Sequence, residues 1–145
     1  MNKKKILISI SIVFIIMISI IIYMRSQSIY AKSENGEWKA YYRREFLDPK
    51  ATWSGYLYYT GQDTDIEVAT TFIVNGKKLV DDGFFFSKGS KYNPSFLEKL
   101  AFGGNPKKVF NFAVFGIEKK ASDNCELIIK YKVDEDIYEE KLVFK

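Results

Sequence analysis

Residues 51–60, ATWSGYLYYT, predict the fold more strongly than any other part of the sequence. Their side chains alternate between two faces, with Trp53 and Leu57 on one face and Tyr56 and Tyr58 on the other. Aromatic residues in this period-two pattern are typical of a strand within a β-sheet. The GQD sequence that follows predicts a turn, so the segment is bounded as a single strand.

The same alternation recurs along the chain and predicts six further strands. They cover residues 37–46, 66–72, 77–80, 108–117, 125–133 and 138–145. Asn75-Gly76 predicts a type I′ hairpin turn, because both central residues of that turn need a positive φ angle. The acidic residues 134–136 predict a second turn, which would join the last two strands in an antiparallel hairpin.

About seven short strands without β-α alternation predict an all-β fold, an antiparallel immunoglobulin-like sandwich. The likeness to immunoglobulins concerns architecture only, because the Cys–Trp–Cys pattern of antibody domains is absent. Ser95 and Glu98 form a capping box, which predicts one short helix at residues 96–102. The alternative is an α+β domain in which this helix covers one sheet face.

Residues 6–24, ILISISIVFIIMISIIIYM, form an uncharged apolar run without proline or glycine. As a helix this run would be roughly 28 Å long, close to the roughly 30 Å of a bilayer's hydrocarbon core. It therefore predicts a single N-terminal transmembrane helix, a signal anchor that lies in the lipid bilayer. The alternative is a secretory signal cleaved near Ser26-Gln27-Ser28, but such signals usually have shorter apolar runs.

Basic residues at the two ends of the run predict its orientation. Lys3, Lys4 and Lys5 precede it, so the positive-inside rule leaves the N-terminus in the cytoplasm. The chain would then be a single-pass protein of the cell membrane with four parts: a cytoplasmic basic tail (1–5), the transmembrane helix (6–24), a polar stalk (25–36) and an extracellular β-sandwich domain (37–145).

The net charge does not indicate a nucleic-acid-binding protein. Five of the 22 basic residues precede residue 33, whereas all 18 acidic residues follow it. Residues 33–145 therefore carry 17 basic and 18 acidic residues, a formal net charge of −1. The lysine doublets at 77–78, 107–108 and 119–120 are too short for a phosphate-binding stripe and are typical of sheet edges and turns. We expect no nucleic-acid partner.

The residue types exclude several kinds of chemistry. The chain has no histidine, the commonest general base and zinc ligand. Cys125 is the only cysteine, and we expect a small buried strand residue rather than a nucleophile. The acidic clusters fall at predicted turns, and their spacing does not match a calcium-binding loop. We therefore expect no enzymatic activity, no cofactor and no metal site.

Aromatic residues are the remaining candidates for a binding surface. The predicted strands place Tyr41, Tyr56 and Tyr58 on the face away from the core, and a Phe84-Phe85-Phe86 run follows a predicted turn. Exposed aromatic rings can stack on sugars or form a protein interface. The alternative is that the tyrosines pair across neighbouring strands and only stabilise the sheet.

The layout resembles small, mostly uncharacterised membrane-anchored β-sandwich proteins of Gram-positive bacteria. The resemblance is carried by KKKILISISIVFIIMI at the N-terminus, by SENGEWKAYY and by the WSGYLYY and FIVNGKK segments. It implies a sandwich of roughly a hundred residues outside the membrane. It carries no catalytic or binding residue over to this chain.

Three functional hypotheses follow. The first is a membrane-anchored extracellular module that binds a protein or cell-wall ligand, without catalysis, through the aromatic face or the 83–95 loop. The second is an accessory subunit whose transmembrane helix packs against a membrane enzyme or transporter. The third is a cleaved, secreted β-sandwich protein. A hydrolase is disfavoured by the missing histidine.

Overall fold

The computed structural model describes residues 3–26, 28–45, 52–62, 65–96, 99, 105–115 and 123–145, except for the side chains of 3–5, 21, 24–26, 114 and 115. Helix α1 spans Lys3–Ser26. The strands within these residues are β1 (Ser28–Lys32), β2 (Trp38–Arg44), β3 (Trp53–Tyr59), β4 (Glu67–Val74), β5 (Lys77–Asp81), β6 (Ser90–Lys91), β7 (Lys108–Phe115), β8 (Cys125–Val133) and β9 (Asp136–Val143).

The strands form two antiparallel sheets that pack face to face. The first sheet has the order β1-β2-β3-β7-β6 and the second the order β5-β4-β8-β9. Every described strand pair is antiparallel. The predicted antiparallel β-sandwich is therefore confirmed, with nine described strands instead of about seven.

The two additional strands are β1 and the two-residue β6. We predicted a stalk at residues 25–36, and this is wrong for Ser28–Lys32, which pair with β2. Ile29 and Ala31 are buried, because they alternate with outward-facing neighbours and fit the pleat of an edge strand. The amide of Lys145 donates to the carbonyl of Tyr30 at 3.0 Å, which joins the first sheet to the second.

The core lies between the two sheets and is rich in aromatic residues. Its largest fully buried hydrophobic side chains come from both sheets: Trp38, Tyr42, Leu57, Ile66, Phe72, Phe112, Leu127, Ile129 and Leu142. Cys125 is buried in a strand and is not part of a disulfide, as we expected from the sequence. In β1 and in the first half of β8, buried residues alternate with more exposed ones, as the period-two pattern requires.

Both predicted hairpin turns are confirmed. Asn75 and Gly76 have φ angles of 52° and 76°, the left-handed values that a type I′ turn needs. Asp134 has a φ angle of 55°, and Val133 pairs with Asp136 across that turn. These two turns fix the registers of β4 with β5 and of β8 with β9.

The predicted helix at 96–102 lies mostly outside the described residues. The amide of Lys99 donates to the carbonyl of Ser95 at 3.0 Å, which is one α-type bond. Phe96 is 77% exposed, so its ring does not cover a sheet face. The short helix stays a prediction, whereas the two-sheet sandwich takes the place of the α+β alternative.

Helix α1 exposes mostly apolar side chains along its length. All described side chains between residues 6 and 23 are exposed, and most of them are large hydrophobic residues. The hydroxyls of Ser11 and Ser19 donate to the carbonyls of Leu7 and Ile15, at 3.0 and 2.9 Å. Over the part of the chain that the structure describes, we find no helix long and apolar enough to span a membrane.

Candidate functional site

Five tyrosines form a connected group on the outer face of the first sheet, the tyrosine cluster: Tyr30, Tyr41, Tyr56, Tyr58 and Tyr92. The strand registers place Tyr30 opposite Tyr41 and Tyr41 opposite Tyr56. Ring centroids are 5.1 Å apart for Tyr30 and Tyr41, 5.8 Å for Tyr41 and Tyr58, 6.4 Å for Tyr56 and Tyr58, and 5.3 Å for Tyr58 and Tyr92. The three predicted tyrosines are thus brought together.

The cluster is packed mainly against itself. Tyr58 is only 4% exposed, although it lies on the face away from the core. The guanidinium carbon of Arg43 lies 4.7 Å from the ring centroid of Tyr56, and the Tyr56 hydroxyl donates to Glu45 at 2.6 Å. Because these contacts occupy ring faces, they favour the alternative in which the tyrosines stabilise the sheet.

The surroundings of Tyr30, Tyr41 and Tyr56 raise the pKa of their phenols above its ordinary value. Burial, reinforced by Tyr30 and Tyr58, raises the pKa of Tyr41 to about 12. Burial and the neighbouring Glu45 carboxylate raise the pKa of Tyr56, and burial raises that of Tyr30. These phenols therefore act as neutral hydrogen-bonding groups and not as general bases near pH 7.

The predicted phenylalanine run lies apart from the tyrosines, on the loop between β5 and β6. Phe84 is 89% and Phe85 79% exposed, whereas Phe86 is half-buried. The loop is tied to the second sheet, because the amide of Asp82 donates to Thr70 and the amide of Ser87 to Val68, both at 2.8 Å. We call Phe84 and Phe85 the phenylalanine tip.

A third feature, which sequence reasoning missed, is a groove of about 450 Å³ beside β6. Its lining includes four lysines, so we call it the lysine groove: Lys88, Lys91, Lys107 and Lys108, with Asp65, Gly89, Tyr92, Asn93, Asn105 and Pro106. We had interpreted residues 107–108 as a doublet covering a turn. No spacing in the sequence indicates the groove, because strand pairing brings its two walls together.

Two searches bear on the candidate site, one for metal-binding groups in the structure and one for similar proteins. Among them there is no group of three or more cysteine or acidic side chains that could hold a metal ion. No protein-family model, curated protein or solved structure matches this chain. The resemblance to Gram-positive membrane-anchored proteins therefore stays an expectation, and function must be argued from the geometry alone.

Proposed function

We propose that this chain is a membrane-anchored extracellular module that binds a protein or cell-wall ligand without catalysis. In this proposal α1 is the signal anchor, the N-terminus is cytoplasmic, and the immunoglobulin-like sandwich lies outside the cell. The proposal has two parts, the anchor and the binding surface, and different observations support each part.

The support for the anchor is the apolar character of residues 6–24. Burying one large aliphatic side chain is worth roughly 1.5–3 kcal/mol, and this segment exposes many of them on all sides of α1. A bilayer removes that exposed surface from water at once. The serine hydroxyls of α1 bond to carbonyls four residues earlier, so at Ser11 and Ser19 the polar groups are already paired within the helix.

The connection between helix and sandwich supports a position close to the membrane. Helix α1 ends at Ser26 and β1 begins at Ser28, so one residue separates them. From Ser26 to Ser28 the chain advances by two residues, which in an extended chain span at most about 7 Å. The proposed module therefore holds its first sheet beside the lipid headgroups and not at the end of a long stalk.

The observation that carries the binding function is the exposure of the phenylalanine tip. Phe84 and Phe85 are adjacent, and both rings are almost fully exposed. The tip is held in place by backbone bonds, because the amide of Phe85 donates to Asp82 at 2.8 Å. Aromatic side chains, including phenylalanine, are enriched in the buried centres of protein interfaces. The tip thus replaces the tyrosine cluster as our preferred contact surface.

The experiment compares the Phe84→Ser/Phe85→Ser variant with the wild-type full-length protein in membranes of the native host. We expect crosslinking to the partner to be lost while the protein stays in the membrane fraction. The control is Ile137→Ser/Val143→Ser, which removes two exposed hydrophobic residues of β9. Equal loss in both variants, or no loss in either, would contradict the role of the tip.

Two further measurements test the anchor. Protease added to intact protoplasts should digest the sandwich, and full-length protein in the soluble fraction after lysis would refute the anchor. Replacing residues 6–24 by polyleucine of equal length should preserve crosslinking. If crosslinking is lost while the variant remains in the membrane, α1 itself carries the partner contact, as in the accessory-subunit hypothesis.

A further inference from the structure

We infer that the lysine groove binds a ligand that carries two or more phosphate groups. This site is separate from the phenylalanine tip, and the inference does not depend on the membrane anchor. It rests on the charge of the groove, on the hydrogen bonding of the Lys108 ammonium group and on the rigidity of the groove walls.

The charge of the groove is strongly asymmetric for a nearly neutral domain. Four lysines and one carboxylate, that of Asp65, line it, which gives a formal charge of +3. An adjoining cleft of about 260 Å³ is neutral overall, because its lining has three lysines and three acidic residues. Lys88, which lines both, forms an ion pair with Glu67 at 3.7 Å. The excess positive charge of the groove therefore lies on Lys91, Lys107 and Lys108, where it favours an anion.

The ammonium group of Lys108 indicates where the anion would bind. Lys108 is only 8% exposed, and its Nζ donates to the carbonyl of Lys88 at 3.1 Å. This carbonyl is its one acceptor within the described residues, although an ammonium group has three N–H donors. Lys108 lies in the lining of the groove, so a phosphate oxygen there can supply an ionic partner and a further acceptor.

The walls of the groove are held in place before any ligand binds. Lys91 pairs with Lys108 in the β6–β7 ladder, and the amide of Tyr92 donates to the carbonyl of Lys107 at 3.0 Å. Gly89 has a φ angle of 63°, and a Cβ there would lie 2.7 Å from Cζ of Phe110. This glycine lets the chain lie directly on the core, so a ligand would meet preorganised donors.

Phosphate fits the lining better than other anions do. Lysine binds phosphate as a point charge, so a lining with four lysines suits an anion that carries several negative charges. Asn93 and Asn105 add neutral donors for phosphate or hydroxyl oxygens. A nucleic acid is disfavoured, because the aromatic ring of the lining, that of Tyr92, already packs against Tyr58.

The test is calorimetric titration of the full-length protein in detergent micelles with tripolyphosphate. We expect binding that weakens steeply with added salt, because the contacts are ionic. The Lys88→Gln/Lys91→Gln variant should bind roughly tenfold more weakly or worse, since it removes two charged contacts. Both side chains are exposed, so this variant should fold normally.

The matched control is Lys77→Gln/Lys145→Gln, which removes the same charge from exposed positions outside the groove. It should keep at least half of the wild-type affinity. Equal weakening in both variants would mean that net charge and not the groove binds the probe, and it would overturn the inference. Absence of binding to the wild type, or equal affinity for the tricarboxylate tricarballylate, would overturn it as well.

Discussion

Gly55 offers the sharpest test of how the core is packed. It lies on β3 where the ladder with β7 shifts register, so that the chain of β7 has one extra residue opposite it. A Cβ at position 55 would lie 2.6 Å from Cζ and 2.7 Å from Cδ2 of Phe112. The Gly55→Ala variant must therefore move that ring, whereas most glycine-to-alanine changes in a strand would be harmless.

The cost follows from what surrounds the ring. Phe112 is buried, with its centroid 5.2 Å from that of Phe72 and 6.2 Å from that of Phe144. Overpacking a core of this kind costs about 1–3 kcal/mol. Alanine also lowers the backbone entropy of the unfolded chain, which stabilises the folded protein by about 0.4–1 kcal/mol and offsets part of this cost. We expect a net loss of about 1–2 kcal/mol, which lowers the melting temperature by roughly 3–8 °C.

A double-mutant cycle with Phe112→Leu separates this clash from any general effect of the substitution. In the Gly55→Ala background the smaller leucine relieves the contact, so the double variant should be about as stable as Phe112→Leu alone. The coupling should be about 1 kcal/mol or more. Urea unfolding of the full-length protein in micelles measures it, because both tryptophans, Trp38 and Trp53, are buried in the sandwich. Additive effects would refute the proposed packing.

Three further predictions concern single residues. Burial raises the pKa of Tyr42 to about 12, so the folded protein keeps a proton that the unfolded chain releases near pH 10. Between about pH 10 and 12 this tyrosine should therefore lower the free energy of unfolding by about 1.4 kcal/mol per pH unit. In urea unfolding across that range, the free energy of unfolding of Tyr42→Phe should fall less steeply with pH than that of the wild type. Gly76→Ala should cost about 1 kcal/mol in thermal melting, because φ is 76° there, whereas Asn75→Gly should be nearly neutral. Tyr58→Ser should cost about 3 kcal/mol, since the side chain is buried among other rings; unchanged melting by circular dichroism would contradict its structural role.

Period-two patterning was sufficient to predict most of the fold. The alternation at 51–60 corresponds to β3 at Trp53–Tyr59, and the predicted strand at 125–133 has the same bounds as β8. Asn75-Gly76 predicted its turn because the required backbone conformation restricts the residue types to very few. Where a local backbone conformation accepts very few residue types, as in this turn, the sequence alone identifies the local structure.

The features that could not be predicted depend on partners distant in the chain. Strand β1 was missed because its short segment is flanked by polar residues and gains its burial from β2 and from Lys145. The burial of Tyr58 was missed because period-two alternation tells on which face of the sheet a side chain lies. It does not tell which other residues cover that face. Tyr92 covers it from 34 positions further along the chain, through a loop without a strand signal of its own.

The same packing moves the candidate function away from the tyrosines. The rings of Tyr41, Tyr56 and Tyr58 contact one another, Arg43 or Tyr92, so little of their area is available to a ligand. Through its member Tyr92, the cluster instead forms part of one wall of the lysine groove. The phenylalanine tip and two lysines of the groove, Lys88 and Lys91, lie on the single segment 84–93, which is held to β4 by Ser87 and to β7 by β6. A ligand-binding surface on a sandwich of this kind needs such a segment, because loops carry exposed groups and the sheets fix their positions.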